Sequence, residues 1–154
     1  MASNPACLFC RIIKREIPSK ILFETEHSFL VQAALSFMEE SFSEFPHLAF
    51  LDIGPLSDGH TVVIPKHHAQ FLHELPDAEM ADLLPTAKKV AVALGCKDYN
   101  ILQNNGRIAH QAVDHVHFHV IPKPNDEEGL VMGWKVKETN GDKLEELRKR
   151  ILKL

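Results

Sequence analysis

A chain of 154 residues fits one domain, residues 1–154, since a single hydrophobic core is comfortable at about 100–200 residues. Its 45% hydrophobic and 25% charged composition is that of an ordinary globular protein, and a formal charge of −4 excludes the basic footprint of a nucleic-acid or anionic-membrane binder. No apolar stretch approaches the roughly 18 residues of a membrane span, so no membrane association is expected.

The opening residues, from Met1 to Cys7, carry no basic start and no apolar core, so no secretory signal is expected. Three cysteines, an odd number, argue against a disulfide framework and for a reducing compartment, the cytosol with or without the nucleus. Phe9 to Glu16 reads as one or two helical turns ended by Pro18, and Ile21 to Glu24 as a strand. Residues 30–48 begin with an apolar run and end polar; Leu30, Ala33, Ala34, Phe37 and Met38 make one helical face. Ala49 to Ile53 is a strand entering a Gly54-Pro55 turn, and Thr61 to Pro65 a short buried strand.

Asp77 to Leu94 reads as a helix with Asp77 as N-cap, Gly95 as its left-handed terminator, and a kink or break at Pro85. Asn100 to Gln103 is a strand leading into the turn Asn104-Asn105-Gly106. Val113 to Ile121 is the clearest strand. From about residue 125 an irregular tail leads to a helix starting near Asp142, with Leu144, Leu147, Ile151 and Leu154 at helical spacing. The fold class is α+β, an antiparallel sheet with helices segregated to one side.

The chemistry lies in the run from His115 to Ile121. Successive strand residues point to opposite faces, so His115, His117 and His119 share one face while Val116, Phe118 and Val120 pack into the core. Next-but-one side chains stand about 6.5–7 Å apart, which lines up three imidazoles on a rigid platform. Neutral imidazole is a nucleophile toward phosphorus, and a neighbouring ring can stabilise the phosphate oxygens as charge develops. A histidine-rich face without a task is a poor choice for stability. Paired imidazoles also ligate zinc, but a cupin-like site would want a Glu shortly after the second histidine, where Val120, Ile121 and Pro122 stand. Alternation sends Asp114 to the opposite face. Cys7 and Cys10, at i and i+3, can present two thiolates from one helical turn, and two buried free cysteines fit the same spacing. Cys96 reads as packing, and His60, His67 and His73 as surface or supporting groups.

The run from Gln111 to Ile121 resembles the histidine-triad motif, in which histidines alternate with apolar residues. Asn104 to Gly106, Phe50 to Ile53, Gly59 to Lys66, and Cys7 to Ile13 followed by Glu16 to Ser19 agree with the same family in order. The likeness is nearest to the Hint branch and its fungal adenosine phosphoramidate hydrolases, whose tail resembles Gly129 to Trp134. It implies a homodimer of two five-stranded sheets joined edge to edge. It implies that His117 attacks the α-phosphorus of a purine nucleotide conjugate and that water then releases AMP. His119 would contact the phosphate oxygens and leaving group, and His115 would orient the nucleophile. Asp52 would hold the ribose, Ile53 and Phe50 the base, and Asn104 and Gln111 the phosphate. Zinc-bearing relatives add two histidines to the cysteine pair, which here gives Cys7, Cys10, His68 and His115, a structural zinc set; no organic cofactor is implied.

Two positions depart from the family. Ala112 stands where many members have a serine that helps bind phosphate or leaving group, and His110 where glycine is usual. Relatives would pass almost directly from Phe29 to Ala49, so residues 30–48 read as an insertion. A dinucleoside polyphosphate hydrolase of the Fhit type and a nucleotide-binding adaptor are the rival functions.

Overall fold

A computed structural model describes residues 2–24 and 47–153. Among these, five strands form one antiparallel sheet: β1 (Ile21–Glu24), β2 (His47–Leu51), β3 (Thr61–Pro65), β4 (Tyr99–Gln103) and β5 (Phe118–Pro122), in the order β1-β2-β3-β5-β4. The helices are α1 (Leu8–Ile13), α2 (Asp77–Met80), α3 (Leu83–Leu94) and α4 (Gly141–Ile151), so the class is α+β as expected. The helix placement differs. α3 covers one face through Leu83, Ala87, Val90 and Ala91 against Val63, Val116, Phe118 and Val120. On the other face α1 packs Cys7, Phe9, Cys10 and Ile12 against Leu48, Phe50, Val62 and Ile64. The sheet is thus covered on both sides. The apolar residues of the short N-terminal helix find a face that alternation in β2 and β3 leaves apolar.

α1 ends earlier than Glu16. Arg15 takes φ +63, and the amides of Arg15 and Glu16 return to the carbonyls of Ile12 and Arg11 (2.9 Å each), which closes the helix in a Schellman motif without glycine. β2 starts at His47, so the segment read as an insertion gives its last two residues to the sheet; the rest of it lies outside the described residues.

The helix expected over 77–94 is two. α2 and α3 part at Ala81-Asp82, which leaves Pro85 in the first turn of α3, where its missing N–H removes no intrahelical bond. Pro76, not Asp77, is the residue that precedes α2, and Asp77 instead puts a carboxylate in its first turn. Gly95 closes α3 at φ +64, as its sequence position suggests.

The strand expected from Val113 begins only at Phe118. The chain bends at 113–115, where the His115 amide bonds the Val113 carbonyl (2.8 Å) and the Val116 amide bonds the Ala69 carbonyl (2.8 Å). The backbone polar groups here are taken by local partners and no longer serve a ladder. α4 is capped by Asn140, whose side chain accepts from the Lys143 amide (3.0 Å). Its apolar residues Leu144, Leu147 and Ile151 remain exposed. No described helix is long and apolar enough to cross a membrane.

Candidate active site

Although His115 and His117 precede β5, the alternation survives. Val116, Phe118 and Val120 point into the α3 core, and the three imidazoles point to the α1 face. The Phe9 ring of α1 stands edge-on to both His115 (5.8 Å) and His117 (5.2 Å), and His117 stands edge-on to His119 (5.0 Å). An aromatic edge against a ring face is a favourable quadrupole arrangement, and here it fixes the ring planes.

His117 Nδ1 lies 2.6 Å from the carbonyl oxygen of His115. A carbonyl only accepts, so Nδ1 carries the proton and Nε2 presents a lone pair. Burial holds the His117 ring below the usual histidine range, against the opposing pulls of the His115 carbonyl and the Asp52 carboxylate. The ring is therefore neutral at pH 7, the state a nucleophile needs. Burial, with His117 and His60 adding to it and Asp52 opposing, brings His119 down to about 4.

His115 faces elsewhere. Its Nε2 donates to the Pro65 carbonyl (2.9 Å), which turns the Nδ1 lone pair toward Cys7 Sγ (3.5 Å), Cys10 Sγ (3.7 Å) and His68 Nδ1 (3.3 Å), while Cys10 Sγ lies 3.5 Å from His68 Nδ1. Zn–N bonds of about 2.05 Å and Zn–S bonds of about 2.3 Å around a tetrahedral ion give ligand separations of about 3.3 Å for N to N and 3.6 Å for N to S. These four separations match edges of that tetrahedron, all four ligand atoms lie within 4.8 Å of one another, and the Pro65 carbonyl fixes the His115 tautomer in the way an outer-shell partner does. Burial raises the Cys7 thiol, with the Cys10 charge adding to it, a penalty that a bound cation would reverse. The His115 ring thus belongs to the cysteine cluster, while its backbone carbonyl orients His117.

The remaining expected residues are distributed unevenly. Asp52 follows β2; its Oδ1 accepts from the Gly54 amide (2.9 Å), and its Oδ2 lies 3.6 Å from His60 Nε2 and 3.8 Å from His119 Nδ1. Ile53, 97% exposed, stands on the adjoining loop, whereas Phe50 is buried with its ring against Phe9 (5.7 Å). Asn104 donates to the His110 carbonyl (3.4 Å) at the turn. Gln111 is 1% exposed; its Oε1 accepts from the Gly106 amide (2.6 Å) and its Nε2 donates to the Gln70 carbonyl (2.7 Å). That amide acts as a clamp on the turn. His110 sits in the left-handed region, φ +66, a conformation in which histidine is tolerated but glycine costs less. Asp114 is exposed and pairs with Arg107 (2.9 Å), away from the histidines. Ala112 offers no hydroxyl at the exposed rim.

His60, by sequence a supporting or surface group, is 4% exposed and its Nε2 lies 2.9 Å from His119 Nδ1. A signal for it exists in the chain. Val62 of β3 lies opposite His119, and His60 is two residues before Val62, on the same face by alternation.

The family profile described as the HIT domain matches residues 41–126. The chain is 48% identical over 149 residues to the adenosine 5′-monophosphoramidase of Saccharomyces cerevisiae, covering 97% of this chain and 82% of that protein. The Schizosaccharomyces pombe adenosine 5′-monophosphoramidase is 55% identical over 129 residues, 84% of this chain and 83% of that protein. Among solved structures, the histidine triad nucleotide-binding protein from Candida albicans superposes with a TM-score of 0.80 at 42% identity, covering 96% of each chain. With three imidazoles on one side of the sheet and this much shared sequence, the chain belongs to the HIT domain family.

Proposed function

We propose that the protein hydrolyses adenosine 5′-phosphoramidates to AMP and an amine, through a nucleotidyl-histidine intermediate on His117. The observation that carries this is the 2.6 Å contact from His117 Nδ1 to the His115 carbonyl, which aims a bare Nε2 into the site beside His119. The names of the fungal relatives supply the substrate class. In the proposed reaction Nε2 bonds to the α-phosphorus and the P–N bond breaks. The departing nitrogen takes a proton on the solvent-connected His119 side. Water then cleaves the new bond to imidazole, releasing AMP and a proton. His119 and Asn104 face the phosphate, Gln111 shapes the turn behind it, Asp52 accepts from the ribose, and Ile53 and Phe50 flank the base.

Cys7, Cys10, His68 and His115 are proposed to hold a zinc ion. Bound there, it would cross-link α1 to the segments that follow β3 and precede β5, a structural part with no step in the reaction. Two copies are proposed to join along their sheet edges, which the exposed Tyr99 and Ile101 of edge strand β4 support. Cytosol and nucleus, where thiols stay reduced, suit the cysteine cluster.

A fluorogenic adenosine phosphoramidate tests the reaction. The expected result is turnover that disappears in His117→Ala, with diadenosine polyphosphates left intact. Cleavage of the diadenosine compounds alone would assign the rival hydrolase chemistry, and AMP binding without turnover of either would assign an adaptor.

A further inference from the structure

His60 belongs to a chain of hydrogen bonds that ends at a backbone amide. The Leu56 N–H donates to His60 Nδ1 (3.1 Å), and an amide only donates, so that nitrogen holds a lone pair. The proton of the neutral His60 ring is then on Nε2, which faces His119 Nδ1 at 2.9 Å. His119 Nδ1 must accept, which leaves the His119 proton on Nε2. His117 is set the other way round by the His115 carbonyl. Two rings 5.0 Å apart are thus held in opposite tautomers, one with a bare Nε2 and one with Nε2–H.

We infer that the Leu56 amide and His60 form a tautomer lock on His119, which makes His60 a positioning residue that keeps a hydrogen-bond donor beside the nucleophile. Flipping the His119 ring to the other tautomer would give up the bond from His60, so the arrangement is directional. Asp52, His60 and His119 also converge as a possible ligand set. Yet two nitrogens on one tetrahedral zinc stand about 3.3 Å apart, and the 2.9 Å separation here is that of a shared proton. The loop is itself fixed. The Leu56 carbonyl accepts from the Gly129 amide (2.9 Å), and Ser57 Oγ donates to the Pro122 carbonyl (2.6 Å). The lock rests on the proposed reaction for its purpose and on hydrogen-bond chemistry alone for its existence.

Long-range ¹H–¹⁵N spectra of the full chain labelled with ¹⁵N-histidine read each ring's tautomer without substrate. His119 is expected as Nε2–H and His117 as Nδ1–H; a His119 proton on Nδ1 overturns the lock. In kinetics, His60→Phe should lower kcat about 10- to 100-fold with little change in KM, as loss of a ring's orienting partner does. His60→Gln, whose amide can still donate to His119, should recover most of that loss. An unchanged kcat in a folded His60→Phe overturns the positioning role, and the wild-type spectrum decides the lock even if that variant does not fold. Because the tautomer is read without turnover, a chain that splits no phosphoramidate counts against the proposed reaction only.

Discussion

The side chain of His117 hydrogen-bonds the backbone of His115, two residues earlier, at 2.6 Å, while the His115 ring turns away to Cys7, Cys10 and His68. One histidine therefore serves two neighbours with different atoms. Its carbonyl orients the His117 ring, and its imidazole faces the thiols at α1.

Removing the nucleophile should be decisive. His117→Ala is expected to lower kcat by at least about a thousandfold, as loss of an attacking residue typically does. Wild type given a phosphoramidate and quenched rapidly in alkaline denaturant, where a phosphorus–histidine bond survives, should gain the mass of one adenylyl group on residue 117. Absence of that adduct under rapid quench would rule out the covalent route.

The pH dependence follows from burial. Since the folded His117 lies below the ordinary value of 6.5, its neutral form persists as the medium turns mildly acidic. kcat/KM should stay level through pH 6.5 and fall only below it. Stability should move in the same direction. His119 titrates at about 4 when folded and at 6.5 when unfolded, so between those values the unfolded chain holds the extra proton. Stability is complete above pH 6.5 and is lost as pH falls toward 4, by up to about 1.4 kcal/mol per unit for each such ring. Urea midpoints across pH 4.5 to 7.5 check the slope.

Metal content is the third expectation. Purified protein should carry one zinc per chain by elemental analysis, and chelation should lower Tm by about 5–10 °C, a loss of about 2–3 kcal/mol in a domain of this size. Cys10→Ser should reproduce the lower Tm and no longer respond to chelator. A chelator-insensitive wild type would remove the metal from the proposal.

His110→Gly relieves a left-handed side chain on an exposed turn. The strain removed is about 1–2 kcal/mol, offset in part by the freedom glycine brings to the unfolded chain. A net gain of about 0.5–1 kcal/mol is expected, visible as a Tm rise of about 1–4 °C with kcat within a few-fold.

Gly129→Ala tests the support of the His60 loop. An added Cβ would meet the Pro122 carbonyl at 2.6 Å, at φ +80, and displace the amide that holds Leu56. A loss of about 2 kcal/mol or more is expected by urea titration, together with a lower kcat; a neutral result in both assays would contradict the tie between tail and loop.

Much of the platform was legible in the chain because alternation is a local rule. Val116, Phe118 and Val120 had to face away from the histidines, and they do so even where the backbone leaves the sheet. The start of β5 was not legible, since it depends on partners distant in sequence: Ala69 for the Val116 amide and Pro65 for the His115 ring. Gln111 looked like a ligand because an amide near a phosphate turn is a sensible donor, but its partners Gly106 and Gln70 become visible only once loops meet. His60 fell between motifs for a related reason. Its partner lies 59 positions away, across a strand pairing that sequence periodicity does not reveal. The side of the sheet taken by α1 was likewise hidden, because a six-residue helix has too few turns to show which surface it will cover.

The edge of Phe9 has a practical consequence for anyone trimming this protein. The match to the family profile starts at residue 41 and so leaves out the Phe9 ring that stands against His115 and His117, along with the thiols of Cys7 and Cys10. A fragment cut at that boundary would keep every histidine of the triad and still lack the wedge that orients it, so the minimal working unit begins before Cys7.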